Sequence, residues 1–197
     1  MAYPTIAGPY GLVPVKLLSG VPFVGLTRQY SIASAYDTNI FYGDVVKLVT
    51  GGTVERDTAD AAMTPIGVFL GCTFTDPSSG NVTFRQYFPA DTAASDIMAY
   101  VADGTDILFK AAVVSSGTTI GDLAITDIGA NVAMVNNAGS TVTGNSKIAI
   151  SDTSATTNTL PLRIVELVQE TTNSSGGFTE AYVKWNAGHM FDNTTGI

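Results

Sequence analysis

Side chains able to do covalent or metal chemistry are scarce in this chain. His189 is its one histidine and Cys72 its one cysteine. For Cys72 or a serine to act as a nucleophile, His189 would have to lie beside it and be oriented by a carboxylate. His189 stands instead beside Gly188 in a polar C-terminal stretch. Cys72 lies inside the apolar run Pro65 to Phe74, where a thiol is an inert small hydrophobe. One His and one Cys do not supply the four ligands of a structural zinc site. The closest acidic pairs, Asp57 with Asp60 and Asp103 with Asp106, lack the spacing of a calcium loop, and Asp103-Gly104 has the chemistry of a turn. A glycosidase needs two carboxylates across a cleft, and nothing in the order of the seventeen acidic residues singles out a pair. No phosphate-binding glycine loop is present. Arg28, Arg56, Arg85 and Arg163 are dispersed and read as local ion-pair or interface partners. Trp185 shares its register with Val183 and reads as core or interface rather than a sugar platform. The residues therefore predict no catalytic site, no metal and no cofactor, and a chain that is not an enzyme.

The elements that carry these residues read as strands. Segments of Val, Ile, Thr, Tyr and Phe recur about every ten residues, separated by Gly, Asp, Asn, Pro and Ser clusters, and no helical period lasts beyond two turns. The predicted strands are Arg28 to Ala33, Val45 to Val49 after a Gly43-Asp44 turn, Pro65 to Phe74, and a half-buried Val82 to Phe88. Ile97 to Ala102 and Ile107 to Val114 read as a hairpin closed by Asp103-Gly104. Ile120 to Ile125 resembles the Gly43-Asp44 turn leading into a strand; Asn131 to Val135, Lys147 to Ile150, Pro161 to Val168 and Phe178 to Trp185 follow as strands, with Ser151 to Thr159 as a loop. Thr58 to Met63 and Asp91 to Ala99 each have room for a helical turn. The order Gly-Asp, strand, loop, Pro-apolar strand occurs twice, at Gly43-Asp44 with Pro65 and at Gly121-Asp122 with Pro161. That is what a worn internal duplication leaves, and also what turn chemistry repeats by chance.

The predicted fold is all-β, a compact barrel or sandwich of β-tulip or jelly-roll-like type. An extended N-terminal arm spans 1–27, the β-domain 28–185, with two related halves dividing near 115–119 as the alternative, and a polar tail 186–197. The arm carries Pro4, Pro9, Pro14 and Pro22, which exclude a helix or a central strand. Between them stand Tyr3, Ile6, Tyr10, Leu12 and other apolar groups. Such an arm needs a surface to lie on, either its own domain or a neighbouring subunit. Tyr3, Pro4, Pro9, Tyr10 and Leu12 are the expected contact residues in the second case.

Composition sets limits on partners. Charged residues are 13% of the chain and hydrophobic residues 45%, a balance that excludes disorder and disfavours a helical bundle. The net charge of −8 gives no general attraction for a phosphate backbone or an anionic leaflet, so neither nucleic acid nor membrane is an expected partner. No run of 18 apolar residues is present. A single cysteine forms no internal disulfide, which fits folding in a cytoplasm.

Seven ordered motifs carry a resemblance over nearly the full length. They are Pro9-Tyr10-Gly11-Leu12 with Pro14, Ile40-Phe41-Tyr42-Gly43-Asp44-Val45-Val46, Thr64-Pro65-Ile66-Gly67-Val68-Phe69-Leu70-Gly71-Cys72, Gln86-Tyr87-Phe88-Pro89-Ala90, Tyr100-Val101-Ala102-Asp103, Leu160-Pro161-Leu162-Arg163-Ile164-Val165 and Thr194-Thr195-Gly196-Ile197. Together they resemble a family of small virion proteins of tailed bacteriophages, found among podovirus-like and marine phages and placed on the head. More distantly, a Gly-Asp strand followed by Pro-Ile-Gly-Val is similar to head decoration proteins with a β-tulip barrel. The resemblance implies a capsid decoration, or cement, protein. It would bind the outside of the major capsid protein lattice as a homotrimer, stabilise the head, and be assembled onto the virion in the host cytoplasm. The alternative function is a head-fibre or receptor- and glycan-binding β-module.

Overall fold

The structure, a computed structural model, describes residues 8–169, 171 and 177–193. It is nearly all β. Its strands are β1 (Val13–Leu17), β2 (Arg28–Ser31), β3 (Val45–Leu48), β4 (Val54–Arg56), β5 (Pro65–Thr75), β6 (Val82–Arg85) and β7 (Met98–Ala102). β8 (Ile107–Ser116), β9 (Thr119–Ile120), β10 (Asn131–Val135), β11 (Ala149–Ala155), β12 (Leu162–Leu167) and β13 (Glu180–Trp185) complete them. The single helical element among the described residues is a 3-10 turn at Ile125–Asp127, so the helical turns expected at 58–63 and 91–99 are absent.

The strands form two sheets, and each closes on itself. In the second sheet β8, β13, β12, β10 and β11 pair in that order, and β11 returns to β8 through a parallel register of Ile150 with Val113 and Ser151 with Val114. In the first sheet β2, β7, β5, β3 and β4 pair in order. A parallel bridge between Ser31 and Thr53 brings the start of β4 back to the end of β2. Numbering the five ring strands of each sheet by chain order gives 1-5-4-2-3 both times. Strands 1 and 3 are the parallel neighbours in each ring, and every other pair is antiparallel. Two rings of the same order and polarity in one chain are the architecture that an internal duplication produces. Closure removes the open edges of the ten ring strands and leaves β1, β6 and β9 as strands paired on one side.

Several expectations from sequence are corrected here. β7 and β8 do not pair; they enter different sheets, so 103–106 is the crossing between the rings and not a hairpin. The turn near 115–119 lies inside the second sheet, where β8 pairs with β9. β11 runs on through the Ser/Thr stretch to Ala155, because β10 supplies ladder partners as far as Asn131 opposite Ala155. The strand expected to follow the Gly121-Asp122 turn is absent: β9 ends at Ile120 and a 3-10 turn begins at Ile125.

The rings share one core. Phe109, Ala111, Val113, Val132, Met134, Ile150, Leu162, Ile164 and Val183 fill the second ring, and Val45, Met63, Val68 and Ala102 of the first join the same cluster. A second cluster around Ile66, Phe69, Phe88 and Val101 fills the first ring. Between the rings lies a buried polar clasp. Asp44 accepts hydrogen bonds from the Phe41 backbone N–H at 2.9 Å and from the Ser146 hydroxyl at 2.6 Å. The Arg56 Nε stands 3.0 Å from its Oδ2, and Arg56 Nη2 donates to the Asn137 carbonyl at 2.9 Å. Asp44 and Arg56 come from the first sheet side, Asn137 and Ser146 from the β10–β11 loop, so the clasp sets the rings against each other.

Candidate interaction surface

Residues 8–17 do not leave the molecule. Pro9 is buried, the Gly11 N–H donates to the Ile148 carbonyl and the Leu12 N–H to the Gly43 carbonyl, each at 3.0 Å. Gly11 holds φ at +88°, and a Cβ there would lie 2.7 Å from Ser146 Cβ and 2.8 Å from the Gly43 oxygen, so only glycine fits this passage. Leu12 is fully buried in the shared core. The Tyr10 hydroxyl donates to the Glu180 carboxylate, which also pairs with Lys110 at 3.1 Å. β1 then adds to β8 beside a bulge at Pro14/Lys16, a peripheral place where proline costs no ladder bond. Pro9, Tyr10 and Leu12, expected as anchors on a neighbour, are therefore held by their own chain. Tyr3 and Pro4 lie outside the described residues.

The exposed apolar groups begin just after. Leu18 is 48%, Val21 53%, Val24 80% and Leu26 61% exposed. Their loop is built, not loose: Leu17 N–H donates to the Val21 carbonyl, Gly20 N–H to Leu17, Phe23 N–H to Val15 and Leu18 N–H to Asp106, all at 2.8 to 2.9 Å. Gly20 and Gly25 turn the chain at φ +86° and +82°. Beneath the loop, at the crossing between the rings, is a cavity of about 270 Å³ lined by Leu17, Leu26, Arg28, Asp103, Asp106 and Ile107 among others. The buried Asp103 carboxylate receives the Tyr30 hydroxyl at 2.7 Å and stands 3.3 Å from Arg28 Nε. Burial, and then the bond to Asp103, push the Tyr30 hydroxyl up to about 12, so it stays protonated and donating.

The C-terminal stretch reaches this same place at residues 188–191. It was expected as a polar tail, yet His189 is buried and Met190 N–H donates to the Pro65 carbonyl at 2.9 Å. Gly188 sits against the Met63 carbonyl with φ +78°. A ladder of rings leads outward from Phe109 to Trp185 (5.3 Å), His189 (5.5 Å) and Phe191 (5.7 Å), with the Arg28 guanidinium 5.1 Å from the Phe191 ring. Burial holds the imidazole below its ordinary value, so it is neutral near pH 7, and its Nδ1 accepts from the Phe191 N–H at 3.3 Å. His189 thus packs the tail down. Cys72 is placed elsewhere, its thiol bonded to the Tyr87 carbonyl and pushed up to about 12 by burial. Asp57 and Asp60 are spent on structure as well: Asp57 accepts from the Ala59 and Thr64 N–H groups, and Asp60 from Asn136. Among the described residues no three His, Cys, Asp or Glu side chains gather where an ion could sit.

A second apolar surface lies on the first ring. Val82 to Phe88 was expected to be half buried, and in β6 it is the apolar side chains that face out: Val82 is 77% and Phe84 63% exposed, with Thr83 and Arg85 more covered. Phe84 lies over Gly71, whose added Cβ would meet the ring at 2.8 Å, and packs against Tyr100 at 6.0 Å. Both surfaces are places where large apolar groups face outward from elements held by backbone bonds, which on proteins marks contact sites. Sequence reasoning saw the apolar residues of 18–27 but not their destination; at β6 alternation showed the stripe but not which way it faces. Comparison of the chain with protein-family models, with curated proteins and with solved structures finds no match.

Proposed function

We propose that this chain is a structural component of a virion shell, a decoration protein that binds the outside of a capsid lattice and stabilises the head. The observation that carries the reading is the pair of outward apolar surfaces, the 18–27 loop and the β6 face, each on a segment held in place by backbone hydrogen bonds to the closed rings. Rigid, pre-formed contact surfaces lose little entropy on docking, and weak contacts repeated around a lattice hold by avidity. The sequence resemblance to phage head proteins supports the same reading, with the major capsid protein as partner. The two surfaces suit two contacts, β6 for the shell and the loop for a neighbouring copy. Trp185, the residue a sugar platform would use, is buried in the core, so the contact surfaces favour a protein partner over a glycan.

The test is co-sedimentation of the purified protein with heads stripped of it. Phe84→Ser is expected to weaken attachment about tenfold or more, as loss of an aromatic anchor does, while leaving the melting temperature within about two degrees, since an exposed side chain contributes little to stability. Attachment that is absent in the natural sequence, or unchanged by Phe84→Ser together with Val82→Ser, counts against the reading.

A further inference from the structure

The junction cavity and the segment ahead of Gly8 point to a contact between copies of this chain. We propose that residues 2–6 of one copy dock in the junction cavity of a second, with Tyr3 as the anchor between Leu17, Leu26 and Ile107. The inference deepens the shell-protein reading by naming what the 18–27 loop receives.

Chemistry and geometry each contribute. The cavity, of about 270 Å³, has Leu17, Leu26 and Ile107 on its walls beside the charged Arg28, Asp103 and Asp106, the last of them exposed. An aromatic ring with a hydroxyl donor matches that lining, and Tyr3 carries both. Residues 2–6 (Ala-Tyr-Pro-Thr-Ile) bear no charged side chain. In a chain of net charge −8 this is the kind of segment that approaches Asp103 and Asp106 without repulsion.

Reach decides between the chain's own cavity and another's. Gly8 and Pro9 sit beside Thr118, Lys147 and Phe178, past the far end of β8. The cavity sits by Ile107, at the beginning of β8. β1 runs antiparallel along this strand, Val13 opposite Lys110 and Leu17 opposite Ile107. At about 3.3 Å per residue, β8 separates the two ends by roughly 30 Å. Tyr3 lies five residues from Gly8, which is at most about 18 Å of extended chain. Ile6 is nearer still to Gly8. Tyr3 does not span the distance within one chain, whereas a second copy brings its cavity to the arm. A contact in which one patch of each copy meets a different patch of the next is heterologous, and it forms a ring where the rotation between copies closes.

Two single variants of the full chain provide the test. Tyr3→Cys and Leu26→Cys proteins are mixed under mild oxidation, with buried Cys72 left in place, and the disulfide-linked mixed dimer is measured. As a control, Tyr3→Cys is mixed with Val142→Cys, whose side chain is 94% exposed on another part of the surface. The expected result is a yield with Leu26→Cys at least about tenfold above the control, the ratio that one hot-spot anchor contributes. Equal yields overturn the proposal. So does a Tyr3→Cys/Leu26→Cys double variant that cross-links within one chain at nanomolar dilution. Because the readout uses free protein, failure here leaves attachment to heads untouched, and failure of attachment leaves the cross-link intact.

Discussion

Asp44 is the residue on which most of the arrangement turns. Its side chain is wholly buried, with Arg56 only 12% exposed beside it. Removing one member of a buried pair leaves the other charged and unsolvated, which costs about 3–5 kcal/mol. Arg56→Met is therefore expected to lower the unfolding free energy by about that amount in urea titrations, and a change below about 1 kcal/mol would show that the clasp is not tightly closed. Burial pushes the Asp44 carboxyl up, more than Arg56, the Phe41 N–H and Ser146 pull it down. A carboxyl whose folded value exceeds its unfolded value binds its proton more tightly in the folded state. Its contribution to stability is therefore greatest in acid and is lost as pH rises from the unfolded value, about 3.9, through the raised folded one. Asp44→Asn should flatten the stability curve across that window. If urea titrations at a series of pH values give parallel curves for the two proteins, the titration of Asp44 does not contribute.

At the scale of elements, the N-terminal strand decides how the arm behaves. Leu12 fills the shared core and β1 pairs with β8, so this stretch belongs to the folded body. Leu12→Ala is expected to cost about 2–5 kcal/mol, as large-to-small changes in packed cores do. Removal of residues 1–19 should lower the melting temperature and promote aggregation, because it strips Leu12 from the core and β1 from β8. The reading of the whole arm as a detachable anchor predicts an unchanged melt for that truncation, so one thermal scan of truncated and full-length protein separates the two. On β6 an edge strand shows apolar groups to solvent, and the device that permits it is local: Gly71 lets the Phe84 ring lie down on the backbone of β5.

The whole molecule is two rings that share a core. Val45, Met63, Val68 and Ala102 from the first pack in one cluster with Leu12, just ahead of β1, and with Ile107, Phe109 and Trp185 of the second. The C-terminal stretch ties back to Pro65, and the β10–β11 loop ties to Tyr42 and Asp44. Rings joined this way should unfold together. Calorimetry is expected to give one transition with equal calorimetric and van't Hoff enthalpies. Two resolved transitions, or a first half cut at Gly104 that folds alone with a cooperative melt, would show that the shared cluster contributes little.

The sequence by itself determined that this is a β-protein, and why. Val, Thr and Tyr alternate over short runs, Gly and Asp punctuate them, and charged helical surface is missing. β5 was legible almost to its ends, Pro65 to Phe74 against the observed Pro65–Thr75, since a run of apolar and small residues opened by a proline fits a central strand. The scarcity of chemical side chains and the apolar character of 18–27 were equally plain. Only the tertiary structure decided which strands meet. A turn such as Asp103-Gly104 specifies a local bend, but whether the next strand pairs back or crosses to another sheet depends on long-range registers such as Ile150 with Val113. The direction of the β6 stripe, the strand formed by Ser/Thr residues in β11 and the burial of His189 share this cause. Alternation states that a strand has two faces, and propensity states how easily it extends. What lies against each face is supplied by residues a hundred positions away, as Ser146 is for Asp44. The two-ring order emerged the same way: the repeated Gly-Asp and Pro-apolar motifs hinted at duplication, but pairing order is a property of closed sheets and appears once they close.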